Sequence, residues 1–233
     1  MEVIDVTKSL GEGAGRVMAV KGASLSLYGG ELTLLMGPSG SGKTTLLSML
    51  GCILSPTSGE VRFAGRTTTG ASAEQLAKLR QNIGFIFQSY HLFPTLTAEE
   101  NVRLTLDVRG ERSISAVDKA QQALSAVGLS HKYKSFPLDL SGGEQQRVAI
   151  ARAIVGNPSV ILSDEPTAAL DSENGLAIMG VLADIAKNPA RAVFVVTHDP
   201  RIVPFADRIL RIEDGKLVSD EAAKQRSKQG FEL

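Results

Sequence analysis

The chain has 233 residues, with 25 Lys+Arg against 25 Asp+Glu, 43% hydrophobic and 21% charged residues. That balance excludes a disordered polyelectrolyte, and the zero net charge removes any bulk field for attracting nucleic acid or anionic lipid. No run approaches the roughly 18–20 apolar residues that cross a bilayer, the opening MEVIDVTKSL lacks the layout of a secretory signal, and a lone Cys52 fits a reducing cytoplasm.

The length predicts one large domain or a core with an inserted subdomain. The first 35 residues read as strands: VIDV, then VMAV and ASLSLY with alternation, a Gly29-Gly30 turn, and ELTLLM. LTLLM is continuously apolar, as in a strand buried on both faces. The glycine-rich Gly37–Gly42 follows, then a helix from Lys43 to about Leu54. After a Pro56–Gly59 turn, EVRFAG reads as a short strand. Ser72 and Gln75 form a capping box opening the helix AEQLAKLR, and IGFIF is a strand ending at Gln88.

Strands then stop. Ala98–Val108 and Ile114–Val127 have helical spacing, with Gly128 as C-cap, so this stretch reads as a helical insertion. A helix from Ser141 to about Val155 ends at Gly156-Asn157-Pro158. Strand VIL, a helix over 172–186, strand AVFVV, a short helix and strand RILRI complete a largely parallel α/β core. Asp214-Gly215 marks a two-residue hairpin before KLVS, and the polar tail from Asp220 is expected to fray.

Three patterns carry chemistry. Gly37-Pro38-Ser39-Gly40-Ser41-Gly42-Lys43-Thr44-Thr45 fits the phosphate-loop spacing G-x-x-x-x-G-K-[ST]. Glycines let backbone N–H groups converge on a phosphate chain, and the helix N-terminus adds positive charge behind them. Lys43 supplies a mobile cation for the β- and γ-phosphates, and the Thr44 hydroxyl suits Mg²⁺. Alone it would be a glycine-rich turn with a surface lysine; the strand before and helix after favour the phosphate loop. In VILSDEP an apolar strand ends in two carboxylates at the sheet edge where α/β proteins bind ligands. Adjacent strand residues point opposite ways, which assigns Asp164 to Mg²⁺ and Glu165 to polarising the attacking water. In LSGGEQQR, Ser141-Gly142-Gly143-Glu144 open a helix with a serine cap and two glycines, a second anion-binding helix end. One nucleotide does not need two cradles from one chain.

With these patterns together the chain resembles the ATP-binding-cassette (ABC) ATPases over about residues 1–220. The resemblance implies a P-loop NTPase (RecA-like) α/β core with an N-terminal antiparallel β subdomain over 1–88 and 159–220. It also implies an inserted α-helical subdomain over about 89–158 and a polar tail over 221–233. Two cassettes of this family pair head to tail and sandwich two ATPs. Residues 37–45 would then hold ATP in one copy, while Ser141, Gly142, Gly143 and Glu144 contact it from the other. By the same resemblance Gln88 senses Mg²⁺ and water, His198 reaches the γ-phosphate, and Asp171 lies in the D-loop Ala169-Leu170-Asp171. Thr44, Gln88 and Asp164 form the Mg²⁺ set. His91 and His131 read as solvated loop residues, and no structural metal is implied.

Three positions depart from the family pattern. Leu10 stands where an aromatic residue commonly stacks on adenine, and Tyr28, the only aromatic before Phe63, comes too late. Ser163 precedes Asp164 where an apolar residue is commoner, and the D-loop begins Ala168-Ala169 without a serine. None of these touches Lys43, Glu165 or His198, so an active ATPase is expected.

Such a cassette pairs with a membrane-spanning permease. The segment 89–96, with Tyr90, Leu92, Phe93 and Leu96, either awaits that partner or packs under the helical insertion. GCILSPTSG, LRQNIGFIFQ and THDPRIVPFADRILRIEDGKL are most similar to the macrolide-exporter, lipoprotein-releasing and heterocyst-glycolipid-exporter group. That resemblance implies a peripheral protein on the cytoplasmic face of the inner membrane, driving a four-span permease with a periplasmic domain. A periplasmic adaptor and export of a lipid-like or drug-like substrate, or lipoprotein release, fit the same group; nucleic acid does not. An importer subunit, a non-transport cassette or a non-catalytic regulatory member are the alternatives.

Overall fold

Residues 1–222 are described by a computed structural model, and they form ten strands and six α-helices. The apolar run Leu32–Met36 is strand β3 of the chain order, following β1 (Glu2–Leu10) and β2 (Val17–Ser26), and all five of its residues are buried. It is central because nothing in it needs water. Later in the chain come β6 (Ile83–Ile86), β7 (Val160–Asp164), β8 (Ala192–Thr197), β9 (Arg208–Glu213) and β10 (Lys216–Ala222). They join β3 in a six-stranded sheet of order β10-β9-β3-β8-β7-β6, parallel except for the β9–β10 hairpin. Asp214 (φ +45°) and Gly215 (φ +81°) make its turn, both left-handed as a two-residue hairpin loop requires.

Strand alternation divides two cores. Along β8, Val193 and Val195 face one, while Ala192, Phe194 and Val196 face the other. The second core is closed by α1 (Lys43–Leu50), through Leu46, Leu47, Met49 and Leu50. Val3, Val6, Val20 and Val61 join it from an antiparallel sheet of order β2-β1-β4-β5, where β4 is Ser58–Phe63 and β5 is Arg66–Thr67. The first core is covered by α5 (Gly142–Ile154) and α6 (Ser172–Ala186), with α3 (Ala98–Val108) and α4 (Ile114–Ala126) packed against α5. Gly84 lets α5 approach the sheet, since a Cβ there would stand 2.5 Å from the Ala153 carbonyl oxygen. α2 (Ala73–Arg80) lies on the surface, opened by the Ser72–Gln75 capping box.

Two sequence readings are corrected. The helix begun at Lys43 stops at Leu50 rather than near Leu54, because Gly51 sits against Phe85 and Cys52 turns left-handed (φ +55°). The tail does not start at Asp220 or Glu221. Those residues and Ala222 pair with Leu210, Ile209 and Arg208, and the Arg208 guanidinium grips Asp220 with two hydrogen bonds of 2.6 Å. The rest of the predicted tail lies outside the described residues.

Candidate functional site

The phosphate-loop residues run from the end of β3 into α1. Gly42 is the N-cap in the left-handed region (φ +100°), and a Cβ there would lie 2.2 Å from the Ala19 carbonyl oxygen. Glycine is therefore required twice over, by conformation and by space. Gly37 is equally confined, its Cβ position 2.2 Å from the Ile212 carbonyl oxygen. The loop is tied to the β9–β10 turn by Gly215 N–H donating to the Ser41 carbonyl at 3.0 Å. Lys43 is buried, and its Nζ donates to the carbonyls of Gly37 and Pro38, both at 2.8 Å. Ser41 Oγ is buried without a hydrogen-bond partner, packed inside the loop beside Gly37, and Ser41 does not line the cleft.

Beside the loop opens a cleft of about 830 Å³. Lys43, Thr44 and Thr45 line it with Pro38, Ser39, Gly40 and Gly42, and Gln88, Glu165 and His198 enter from the ends of β6, β7 and β8. Those strands are parallel, so their C-terminal ends deliver all three side chains to one edge. Glu165 does not alternate simply with Asp164 along β7, as the sequence reading assumed. It has left the strand with φ +48°, its N–H held by the Val196 carbonyl at 2.9 Å. A left-handed non-glycine residue costs about 1–3 kcal/mol and persists where its surroundings over-determine it. Here it turns the carboxylate toward His198, whose Nδ1 lies 2.7 Å from Glu165 Oε1.

Asp164 sits behind these groups and accepts from the Thr44 hydroxyl at 3.3 Å. Burial pushes its carboxyl above the ordinary range, the Thr44 hydrogen bond opposes the shift, and the Glu165 charge adds to it. A half-buried carboxylate beside a threonine hydroxyl is a hard-oxygen pair that suits Mg²⁺, which takes one or two protein oxygens and draws the rest from phosphates and water. Among the described residues no group of three or more His, Cys, Asp or Glu could hold a metal unaided.

The other predicted site residues lie elsewhere. Ser141 is the N-cap of α5, accepting from Glu144 N–H at 3.3 Å while Glu144 returns a 2.8 Å bond to Ser141 N–H. Neither these two nor Gly142 and Gly143 line the cleft. Asp171 caps α6 through Asn174, whose side chain confines Gly143: a Cβ there would stand 2.8 Å from Asn174 Oδ1. The starts of α5 and α6 thus adjoin. The segment 89–96 divides between its two readings: Leu92 packs on the core, whereas Phe93 is exposed, and the fully buried Asn101 amide holds the carbonyls of Phe93, Leu96 and Thr97. His91 and His131 are exposed, His91 with its ring against Phe87.

The sequence leaves two outcomes for the missing stacking aromatic, weaker base binding or a flanking apolar face in its place, and both turn on Leu10. Together with Val17, Met18 and Ala19 it forms an aliphatic wall of the cleft facing the phosphate loop, and Tyr28 takes no part, its ring lying under Arg208. The signal was present in the sequence as exposed apolar residues on both sides of the β1–β2 turn, but alternation alone does not say which strand face meets a cleft.

Residues 20–168 match the family described as "ABC transporter". The macrolide export ATP-binding/permease protein MacB of Marinobacter nauticus is 41% identical over 230 residues, which is 98% of this chain and 36% of that protein. MacB of Escherichia coli K12 is 42% identical over 224 residues, 96% of this chain and 34% of that one. The chain therefore spans about a third of the length of these relatives. Among solved structures, the ATP-binding cassette MJ0796, a dimer in a post-hydrolysis state bound to ADP and Pi, superposes with a TM-score of 0.87 at 39% identity, covering 96% of this chain and 99% of that one. The cbiO1 subunit from Clostridium perfringens, part of the ABC transporter complex cbiONQ, gives 0.85 at 29% identity, over 95% and 88%.

Proposed function

The chain belongs to the ABC transporter family, and from that premise we propose how its residues work: as an ATPase engine for export through a permease, with its site completed by a second copy. It is an ATP-binding, ATP-hydrolysing cassette on an α/β P-loop fold. The convergence of Lys43, Thr44, Gln88, Glu165 and His198 on one cleft edge carries the assignment of the site. In our reading residues 37–45 wrap the phosphate chain, and Lys43 exchanges its bonds to Gly37 and Pro38 for the β- and γ-phosphates. Thr44, Asp164 and Gln88 hold Mg²⁺, which when bound neutralises charge on those phosphates. Glu165 takes a proton from the attacking water, and His198, already paired with it, orients it and meets the γ-phosphate. Leu10, Val17 and Met18 cover the base.

Ser141, Gly142, Gly143 and Glu144 are assigned to the partner copy's nucleotide, with Asp171 at the contact between copies. This reading is supported by their position outside the cleft, at a capped helix start whose free N–H groups suit an anion. ATP then favours the closed pair only through its extra contacts in that state, and hydrolysis removes them.

Among the described residues no helix is long and apolar enough to cross a membrane; in our reading the pathway is supplied by a permease, which the relatives named ATP-binding/permease proteins support. A groove on the core's flank, lined by Phe93, Leu104, Val108 and Arg109, would receive it, with Phe93 and Val108 exposed there. The relatives named macrolide export ATP-binding/permease proteins support export of a drug-like molecule through a permease; a lipid-like cargo, a four-span permease, a periplasmic adaptor and a seat at the cytoplasmic face of the inner membrane are part of the proposal on the family resemblance alone. Phosphate release by the purified chain, alone and with that permease in vesicles, tests the reading. Release abolished by Lys43→Ala and stimulated by permease and substrate is expected; no release under either condition overturns it.

A further inference from the structure

Gln88 reaches the cleft from a loop whose next turn is unusual. Tyr90 (φ +58°) and His91 (φ +48°) are consecutive left-handed residues, and neither is glycine. Such conformers persist only where the surroundings hold them. Arg152, near the far end of α5, supplies the hold: Nη2 donates to the Tyr90 carbonyl and Nη1 to the His91 carbonyl, both at 2.6 Å. A planar two-pronged donor fits two neighbouring carbonyls as a single-point cation cannot. The Tyr90 side chain runs the other way along the helix. A Cβ on Gly142 would lie 3.0 Å from the Tyr90 hydroxyl oxygen, so the ring tip rests on the first residue of α5, beside the Ser141 cap. Side chains on a helix lean toward its N-terminus, which lets Arg152 and Tyr90 together span the helix end to end.

We propose that Tyr90 and Arg152 form a strut that makes the Gln88 loop and the Ser141 end of α5 move as one body. Neither residue lines the cleft, so both are positioning residues acting through Gln88 at one end and Ser141 at the other. What Gln88 meets at the nucleotide is thereby transmitted to the helix end assigned to the partner's nucleotide. The inference rests on the nucleotide reading of both places.

The test uses the full chain with Arg152→Lys, which keeps the charge but not the fork, and Tyr90→Gly, which suits the left-handed backbone and removes the ring. Amide hydrogen exchange is followed at residues 88–92 and 142–146 on addition of a non-hydrolysable ATP analogue with Mg²⁺, at a chain concentration where light scattering shows monomer, so that no partner's nucleotide shields 142–146. In the unmutated chain both segments should slow together; in either variant the loop should respond while 142–146 does not. In steady-state turnover Arg152→Lys should lower kcat about tenfold with KM little changed, and by less than about twofold in a Gln88→Ala background, because a group acting through Gln88 adds nothing once Gln88 is gone. A merely structural role would multiply the two losses, and that result overturns the strut, as does joint slowing of both segments in the variants. Failure of the unmutated chain to respond to nucleotide at all would instead overturn the reading of the site.

Discussion

Glu165 Oε1 and His198 Nδ1 stand 2.7 Å apart at the ends of neighbouring parallel strands, and the glutamate reaches that position only by leaving β7 left-handed. The carboxylate is largely shielded while the imidazole is mostly exposed, so the histidine is the member free to move toward a phosphate. Glu165→Gln keeps the shape and the hydrogen bond but removes the base. Turnover should fall at least about a hundredfold, the lower end for loss of a positioned proton acceptor. Affinity for ATP should hold, and the variant should accumulate as an ATP-bound dimer by light scattering. A variant that keeps hydrolysing, or that stays monomeric with ATP, counts against Glu165 as the base or against the sandwich respectively.

Ser141 caps α5, and in the proposed pairing it also meets a partner's nucleotide, two jobs that can be separated. Aspartate caps as well as serine but would repel a phosphate, so Ser141→Asp spares the helix while blocking the second job. A head-to-tail pair offers each site the loop of one copy and the α5 end of the other. Lys43→Ala and Ser141→Asp chains, each inactive alone, should therefore regain activity when mixed, because one of the two sites in the mixed dimer is intact. Random pairing of two-fold dimers predicts recovery of about a quarter of the unmutated rate if the sites are independent. Phosphate release with no recovery on mixing would place both residues at the same copy's nucleotide.

In the proposed site the aliphatic wall of Leu10, Val17 and Met18 would supply burial to a base but no stacking π-face. Stacking on an aromatic residue is worth about 1–3 kcal/mol per base. Leu10 is partly exposed at the cleft mouth, so an added ring has room. Leu10→Tyr should tighten ATP binding roughly fivefold, within the range that a modest stacking gain provides, and Leu10→Ser should weaken it. Equilibrium titration with a fluorescent ATP analogue measures both, and unchanged affinity in each would remove Leu10 from the base site.

Local signals accounted for much of this arrangement. The Ser72–Gln75 capping box and the Ser141 cap form as the sequence implied, and Glu144 completes a second box at Ser141, because cap geometry is settled within four residues. Ala98–Val108 and Ser172–Ala186 keep the predicted bounds, since strong apolar periodicity and good caps agree there. What was illegible depends on distant chain. The early end of α1 is set by Phe85 closing on Gly51, and Glu221 and Ala222 are held by pairing with β9 beside the Arg208–Asp220 ion pair. The Glu165–His198 contact and the Arg152 fork join residues 33 and about 60 positions apart, which no window along the chain contains.

Glu144 offers a pH signature for the start of α5. The Ser141 N–H bonded to its carboxylate holds the group below the usual range, and Lys132 at 3.3 Å adds to that. A carboxyl lowered in the folded chain contributes stability in full above its unfolded value, near 4.3. That contribution is lost as pH falls through the lower folded value. Glutamine serves equally at this position of a capping box, so Glu144→Gln removes the charge and leaves the cap. In nucleotide-free chain at pH 7 the variant should be less stable by about 0.5 kcal/mol, the scale of an acid at a helix start. The gap to the unmutated chain should close as the pH drops well below 4.3, where the native carboxylate is protonated too. Urea unfolding at pH 7 and under acid conditions measures it. A gap that persists at low pH would mean the loss comes from packing, and the carboxylate charge would then have no part in holding the helix end that is assigned to the partner's phosphate.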